Sequence, residues 1–464
     1  MTRIVIAGGG FTGLSAALFL ARRGHSVTLV ERDPEPPDGS PDDDVNNWRH
    51  PGAPQARQSH ALLGRARRVL FDETPDVVAA LASRGVHEIP VVVGAGALEG
   101  ETMLLSRRLV AEAELRRIVT RESGVTLLGG DAVTGLQFVS TVDVPIVTGA
   151  FLASGALLAA DLVVDASGRR SALPEWFAQG GLRTPVDERQ ECGFTYFTRF
   201  YRLRPGCEAP LSKIPASIAL DYATVFALGA DNDTFSLTLT LSVNDPYRNA
   251  LRDPARFQAL LESVPHSAPW IQVGEPISDI STMSRIENRR RHLVTEAGPL
   301  ALGILAIGDA ALHTNPTAGR GISMGLMHAQ HLAEVADDAT ADPSRFADDF
   351  ARWTNEHLGI WYDTQVAADA TALDRLDAGL RGQRLPMSDA PAAQFAAAAL
   401  LCAQHDEVVG IAVAKMAHLF ATPAETFGEP DVAARISQFI EGGASLERPP
   451  DIPNRATFEA IVSE

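Results

Sequence analysis

A glycine-rich turn, Gly8-Gly9-Gly10-Phe11-Thr12-Gly13, follows the apolar run Ile4-Val5-Ile6 and opens a stretch of helical periodicity through residue 23. A second strand-like run covers residues 26–31. Strand, glycine turn, helix and strand in this order make a βαβ unit, whose strands pair in parallel across the helix. Glycines 8, 10 and 13 fit the spacing G-x-G-x-x-G. The first permits a tight turn, the second lets a pyrophosphate approach the backbone, and the third lets helix and strand pack closely. The free N–H groups and positive dipole end of the helix then face the phosphates. Glu31, at the end of the second strand, can accept hydrogen bonds from a ribose diol. Dinucleotide binding is therefore assigned to Gly8, Gly10, Phe11, Thr12, Gly13, Glu31 and the adjoining Arg32.

At 464 residues the chain is too long for a single core. Its net charge of -18 repels phosphate backbones and anionic membranes, so nucleic acid is not an expected partner. Cys192, Cys207 and Cys402 form no CxxC pair and are odd in number. This suits a reducing cytoplasm rather than a disulfide frame. The N-terminus starts directly on a strand and lacks the regions of a signal peptide. No apolar stretch reaches the roughly 18 residues of a membrane span, and Ala392–Cys402 reads as a buried helix. No metal-ligand cluster is evident.

Residues 33–54 break the periodicity. They are rich in proline and acids, including Asp42-Asp43-Asp44, and read as a solvated insertion. Helical patterns return at residues 61–70 and 77–82, and short β-like runs fill residues 125–166. Residues 190–243 read as β-rich. In one strand Phe235, Leu237, Leu239, Leu241 and Val243 alternate with Ser236, Thr238, Thr240 and Ser242, giving one greasy and one polar face. From about residue 345 the pattern is helical and alanine-rich, and the proline-bearing tail 447–455 reads as a surface wrap. The fold class is α/β. Residues 1–176 and 291–345 are two parts of a Rossmann-like domain, residues 177–290 are an inserted, mostly antiparallel β-sheet substrate domain, and residues 346–464 are a C-terminal helical region.

Two further motifs repeat the ligand grammar. Gly308-Asp309 follows the apolar run Ile304–Ile307, which places an acid beside a sugar-like hydroxyl. Asn315-Pro316-Thr317-Ala318-Gly319-Arg320-Gly321-Ile322-Ser323 then opens a helix whose N-terminus can stabilise negative charge on a ligand. Ser106-Arg107 heads another helix, where an arginine can reach a pyrophosphate or lie solvated.

Together these pieces, over roughly residues 1–345, resemble the group A flavoprotein monooxygenases, the family with the p-hydroxybenzoate hydroxylase fold. The resemblance implies FAD. The glycine loop and Glu31 would hold its ADP half, Arg107 would contact it, and the Val133 backbone would touch adenine. Asp309 would bind the ribityl chain, and the loop and helix start at Pro316, Gly319, Gly321 and Ile322 would face the flavin. The segments Gln55–Leu63, Tyr196–Arg199 and Thr314–Pro316 look like those of actinobacterial natural-product flavoproteins, a set with polyether epoxidases and the flavin-dependent [4+2] cyclases of spirotetronate pathways. Three positions depart from the family pattern. Ser167 replaces the acid of the middle motif, which is tied to nicotinamide handling. Leu312 stands at the common histidine, with His313 one place later. Ser323 stands for an asparagine.

The resemblance implies a monooxygenase, an epoxidase or hydroxylase that uses NAD(P)H as reductant. Its substrate would be a large, mostly apolar small molecule, polyketide-like or aromatic. The rival reading is a non-redox [4+2] cyclase, in which the flavin is a wall of the pocket. No pair among the five tryptophans has the Trp-x-Trp-x-Ile-Pro spacing of a flavin halogenase. No catalytic side chain is assigned. His60 and His313 are candidate proton carriers, and Tyr196 and Arg199 fall on opposite faces of their strand. Trp353 and Trp361, at helical spacing, read as core.

Overall fold

The computed structural model describes residues 1–140, 144–210, 216–443, 445–448 and 450–463. The N-terminal unit forms as the sequence dictates: β1 (Arg3–Ala7), α1 (Phe11–Arg22) and β2 (Ser26–Glu31), with Ile6 opposite Leu29 in a parallel pair. Strands Val125–Gly129, Leu162–Asp165 and Ile304–Ala306 complete a five-stranded sheet. All its pairings are parallel. Such a sheet must be covered on both faces. One face packs α1 and the helices Gly64–Glu73, Arg108–Arg121 and Gly321–Val335. The other carries the antiparallel strands Val133–Val139 and Ile146–Leu152 and the helix Leu173–Gln179.

The inserted sheet is antiparallel and centred on Phe194–Leu203 and Thr234–Ser242, paired with Phe197 opposite Leu239. Every residue of Thr234–Ser242 is buried. Its greasy face meets the helix Pro254–Ser263, Trp270 and Phe458 of the last helix. Its polar face is also enclosed, because it looks towards the α/β domain rather than water. The alternation read from sequence is thus real, but its polar half serves an interior surface.

The segment 33–54 corrects the sequence reading. It is not a solvated insertion. Pro41–Asn47 is a helix with a Ser40–Asp43 capping box, and Trp48, Asp33 and Asp44 are buried. Asp44 is drawn in because arginines wait for it, while Glu35 and Asp42 are paired with arginines but stay partly exposed. Asp44 pairs with Arg84 and Arg117, Glu35 with Arg116, and Asp42 with Arg107 and Arg202. A buried carboxylate without such a partner would be strongly unfavourable.

The C-terminal region is helical as expected. The domain edges drawn at 290 and 345 fall inside the strand Glu287–His292 and the helix Pro343–Thr354, so elements run across them. The helix Pro391–Cys402 is not wholly buried: Ala398, Ala399 and Cys402 face a core, while Leu400 is exposed. Among the described residues no single helix is long and apolar enough to cross a membrane. Trp361 is core, and Trp353 is stacked between His331 and His357.

Candidate cofactor and substrate site

A cavity of about 1010 Å³ opens at the carboxyl ends of the parallel strands, where α/β sheets bind ligands. Gly8, Gly10, Phe11, Thr12, Glu31, Arg32, Val133, Asp309, Pro316, Gly319, Gly321 and Ile322 all line it. Residues more than 300 apart in sequence are thus brought to one wall. Gly13 lies behind that wall. A Cβ there would stand 2.0 Å from the Gly8 carbonyl oxygen, so its role is the close packing of α1 on the turn. Gly8 needs its own freedom, with φ +103 and the Ala166 carbonyl oxygen 2.6 Å from where a Cβ would stand.

Both α1 and the helix Gly321–Val335 begin without a side-chain cap. The N–H groups of their first turns are therefore available to a ligand. The Glu31 carboxylate is held at the site by the Gly9 N–H at 2.5 Å and the Asp33 N–H at 2.7 Å. This set suits FAD: two uncapped helix starts for its anionic parts, an acid for the ribose, and length for both ends. Val133, with Ala132, forms the wall beyond Glu31, where adenine would lie.

Arg107 is a correction. It does not line the cavity. Its guanidinium is buried against Asp231 (Nη2–Oδ1 2.6 Å) and Asp42 (Nη1–Oδ1 2.8 Å), so it ties the inserted sheet and the acidic segment to the α/β domain. Its neighbour Arg108 reaches the cavity, held by Glu112 one helical turn on at 2.9 Å. The helix boundary decides this: Arg107 is the N-cap, with extended backbone at φ -63 and ψ 129, and Arg108 is the first helical residue. Glu112 also meets His50 (2.6 Å), which stacks on Trp48 and lies 2.8 Å from Asp33. Burial pushes the Glu112 carboxyl up, but Arg108 and His50 outweigh it and bring it down to about 2. Burial pushes the His50 imidazole down, yet Glu112 and Asp33 hold it above its ordinary value. A salt-bridged cluster missed by the sequence reading therefore backs the dinucleotide end.

At the other end, burial raises the Asp309 carboxyl while His313 (3.3 Å from its Oδ2), Arg108 and Arg289 bring it below the carboxylate range. It is an anion aimed at the cavity. Asp165 is spent structurally, accepting from the Ser167 N–H (3.0 Å), the Ser167 hydroxyl (2.5 Å) and Ser171. Ser167 itself lines the cavity, and the Ser323 hydroxyl is buried without a hydrogen-bond partner among the described residues. Asp309→Ala should release or weaken bound flavin. Full flavin content and unchanged affinity in the purified variant would overturn that placement.

The inserted sheet closes the cavity. Thr198 and Thr238 bond each other at 2.7 Å, Thr198 donates to Gln58 at 2.7 Å, and Ser59 bonds Ser236 and Thr238. The polar strand face thus clamps the segment Gln55–Leu63. Tyr196 lines the cavity and donates to Asn315 at 2.5 Å. Asn315 is in turn fixed by Asp369 and Asn288, which anchors the loop that starts at Pro316. Arg199 points to the opposite face, as the strand period requires, and bonds the Ser278 carbonyl. His60 and His313 both line the cavity.

Residues 3–74 match the family model described as FAD dependent oxidoreductase. The chain shares the α/β fold of the solved flavoenzymes described below, and its residues 3–74 are similar to the FAD-dependent oxidoreductases. Among individual proteins, it is 29% identical to Protein Rv3254 of Mycobacterium tuberculosis over 363 residues, 71% of each chain. Two solved structures share the fold. The anhydrotetracycline hydroxylase OxyS from Streptomyces rimosus superposes with TM-score 0.58 at 17% identity, over 90% of this chain and 75% of that one. The Diels-Alderase PyrE3 of pyrroindomycin biosynthesis gives TM-score 0.57 at 17% identity, over 91% and 81%.

Proposed function

We propose that the protein is an FAD-dependent monooxygenase, an epoxidase or hydroxylase of a large, mostly apolar natural-product intermediate. The observation that carries this reading is the pair of uncapped helix starts, at Phe11 and Gly321, on the wall of one cavity that also holds Glu31 and Asp309. When bound, FAD supplies electron transfer from NAD(P)H and activation of O₂, with one oxygen atom passing to substrate and the other leaving as water. The chain's part is positioning and exclusion of water. The first turn of Gly321–Val335 steadies negative charge on the flavin. The clamp of Gln58 and Ser59 on Thr198 and Thr238 holds the substrate domain shut over it. The proposed compartment is the cytoplasm, in keeping with three free cysteines.

Ser167 favours a second reading. With a hydroxyl in place of the family's acid at the middle motif, the site suits a non-redox cyclase that uses the oxidised flavin as a wall. A fold shared with both OxyS and PyrE3 is compatible with either. Purified holoprotein offered polyene and aromatic candidates, with and without NAD(P)H, separates them. The monooxygenase reading expects substrate-stimulated NAD(P)H consumption and incorporation of ¹⁸O from labelled O₂. Product formed with neither reductant nor oxygen would establish the cyclase instead.

A further inference from the structure

His418 lies in none of the motifs above, yet it lines the cavity. It ends the helix Glu407–Ala417, and its position is strongly determined. Gly96 and Gly410 bring that helix into backbone contact with the hairpin His87–Leu105, since a Cβ on Gly96 would stand 2.1 Å from the Ile411 nitrogen. Leu419, at φ 63 and buried, turns the chain immediately after it. The Arg65 N–H donates to the His418 carbonyl at 3.2 Å, and Arg65 Nε donates to the Leu419 carbonyl at 3.0 Å.

The ring is equally constrained. The Gly64 N–H donates to His418 Nδ1 at 2.9 Å. A nitrogen that accepts from an amide carries no proton, so the neutral ring bears its hydrogen on Nε2. Burial pushes this histidine down to about 4, which keeps the ring neutral near pH 7. Among the described residues Nε2 has no hydrogen-bond partner, and His418 lines the cavity. The cavity walls from the hairpin and the inserted sheet include Val93, Met103, Leu105, Phe226 and Leu228 and, among the described residues, no charged side chain. The charges on the cavity wall, Glu31, Arg32, Arg108, Arg169, Arg170 and Asp309, come from the α/β domain.

We propose that His418 is a specificity-determining residue whose Nε2–H donates to a carbonyl oxygen of a neutral, otherwise apolar substrate. This rests on the flavoenzyme reading of the cavity and names its substrate class. A carboxylate substrate would bring its charge against hairpin and inserted-sheet walls that, among the described residues, hold no opposite charge. A ketone, lactone or quinone oxygen meets one fixed donor and gains when negative charge builds on that oxygen.

Two substitutions separate this role from a structural one. In His418→Asn the side-chain oxygen can still accept from Gly64, but no donor reaches the cavity. In His418→Gln the amide NH₂ can take the place of Nε2–H, while the Gly64 contact is lost. The probes are 9-fluorenone and fluorene, of like shape with and without the carbonyl, titrated by calorimetry into holoprotein whose flavin content is first read from its visible spectrum. Wild type should prefer fluorenone by about tenfold, the scale of one net hydrogen bond. His418→Asn should abolish that preference at unchanged flavin content and melting temperature, and His418→Gln should keep most of it. No preference in wild type, or equal loss in both variants, would overturn the proposal. So would loss of flavin in His418→Asn with the preference intact, because the ring would then serve the cofactor. Wild type without flavin sinks the flavoenzyme reading itself, and the spectrum shows this before any probe is added.

Discussion

Gly13→Ala should leave little folded protein. Alanine in a helix is ordinarily better than glycine by up to about 1 kcal/mol. Here the added methyl would lie 2.0 Å from the Gly8 carbonyl oxygen and 3.3 Å from the Ala166 Cβ. The nearest obstacle is backbone, and Gly8 is already at φ +103 with no room for a side chain beside Ala166. Neither side can yield without separating α1 from the sheet, so the cost should exceed the roughly 1–3 kcal/mol usual for overpacking. Gly10→Ala makes the contrast. Its Cβ meets nothing closer than 3.8 Å and its backbone suits any residue. That variant should melt within a few degrees of wild type yet hold less flavin, because the methyl would stand where the pyrophosphate approaches. Thermal melts and flavin-to-protein ratios measure both. A soluble Gly13→Ala protein with a native melt would show that the turn is not packed as described.

Acid should destabilise the protein well before its carboxylates titrate. Burial holds His60 and His418 down at about 4 and, with a small push from His331, His328 at about 3, and the unfolded chain returns each to about 6.5. Lowered bases lend stability that is complete above the unfolded value and is lost as pH falls from 6.5 towards the folded value. Each depression of this size corresponds to about 3 kcal/mol once pH 4 is reached. Three such groups rival a domain's whole stability of roughly 5–15 kcal/mol. Glu112, at about 2, contributes its loss only below the ordinary carboxylate range, and His50, which is raised, keeps its contribution through this window. Urea midpoints should therefore fall steeply between pH 6.5 and 4.5. His328→Asn can still accept from the Gly308 N–H and should flatten that slope. Midpoints constant across the window would contradict the burial of these rings.

That Gly8, Gly10 and Glu31 would share one wall was legible in the chain. Gly8, Gly10, Gly13 and Glu31 act within one local unit, and the constraints that select them are short-range. Asp309 and the loop at Pro316–Ile322 were legible for the same reason. Arg107 was not, because the choice between it and Arg108 turns on where the helix starts and on Asp231, which arrives from the inserted sheet. The acidic segment 33–54 was misread because its charges look solvated until Arg84, Arg116 and Arg117 are placed beside them. His418 carries no local signal at all.

The sequence by itself determined a βαβ dinucleotide fold and the alternation of a two-faced strand, since both follow from periodicity and backbone sterics within a few turns. Long-range packing set which arginine meets the cavity, that the strand's polar face is an interior wall, and that a histidine from the last third of the chain lines it. Those outcomes depend on pairings between residues far apart in sequence, and no local pattern encodes a partner that distant.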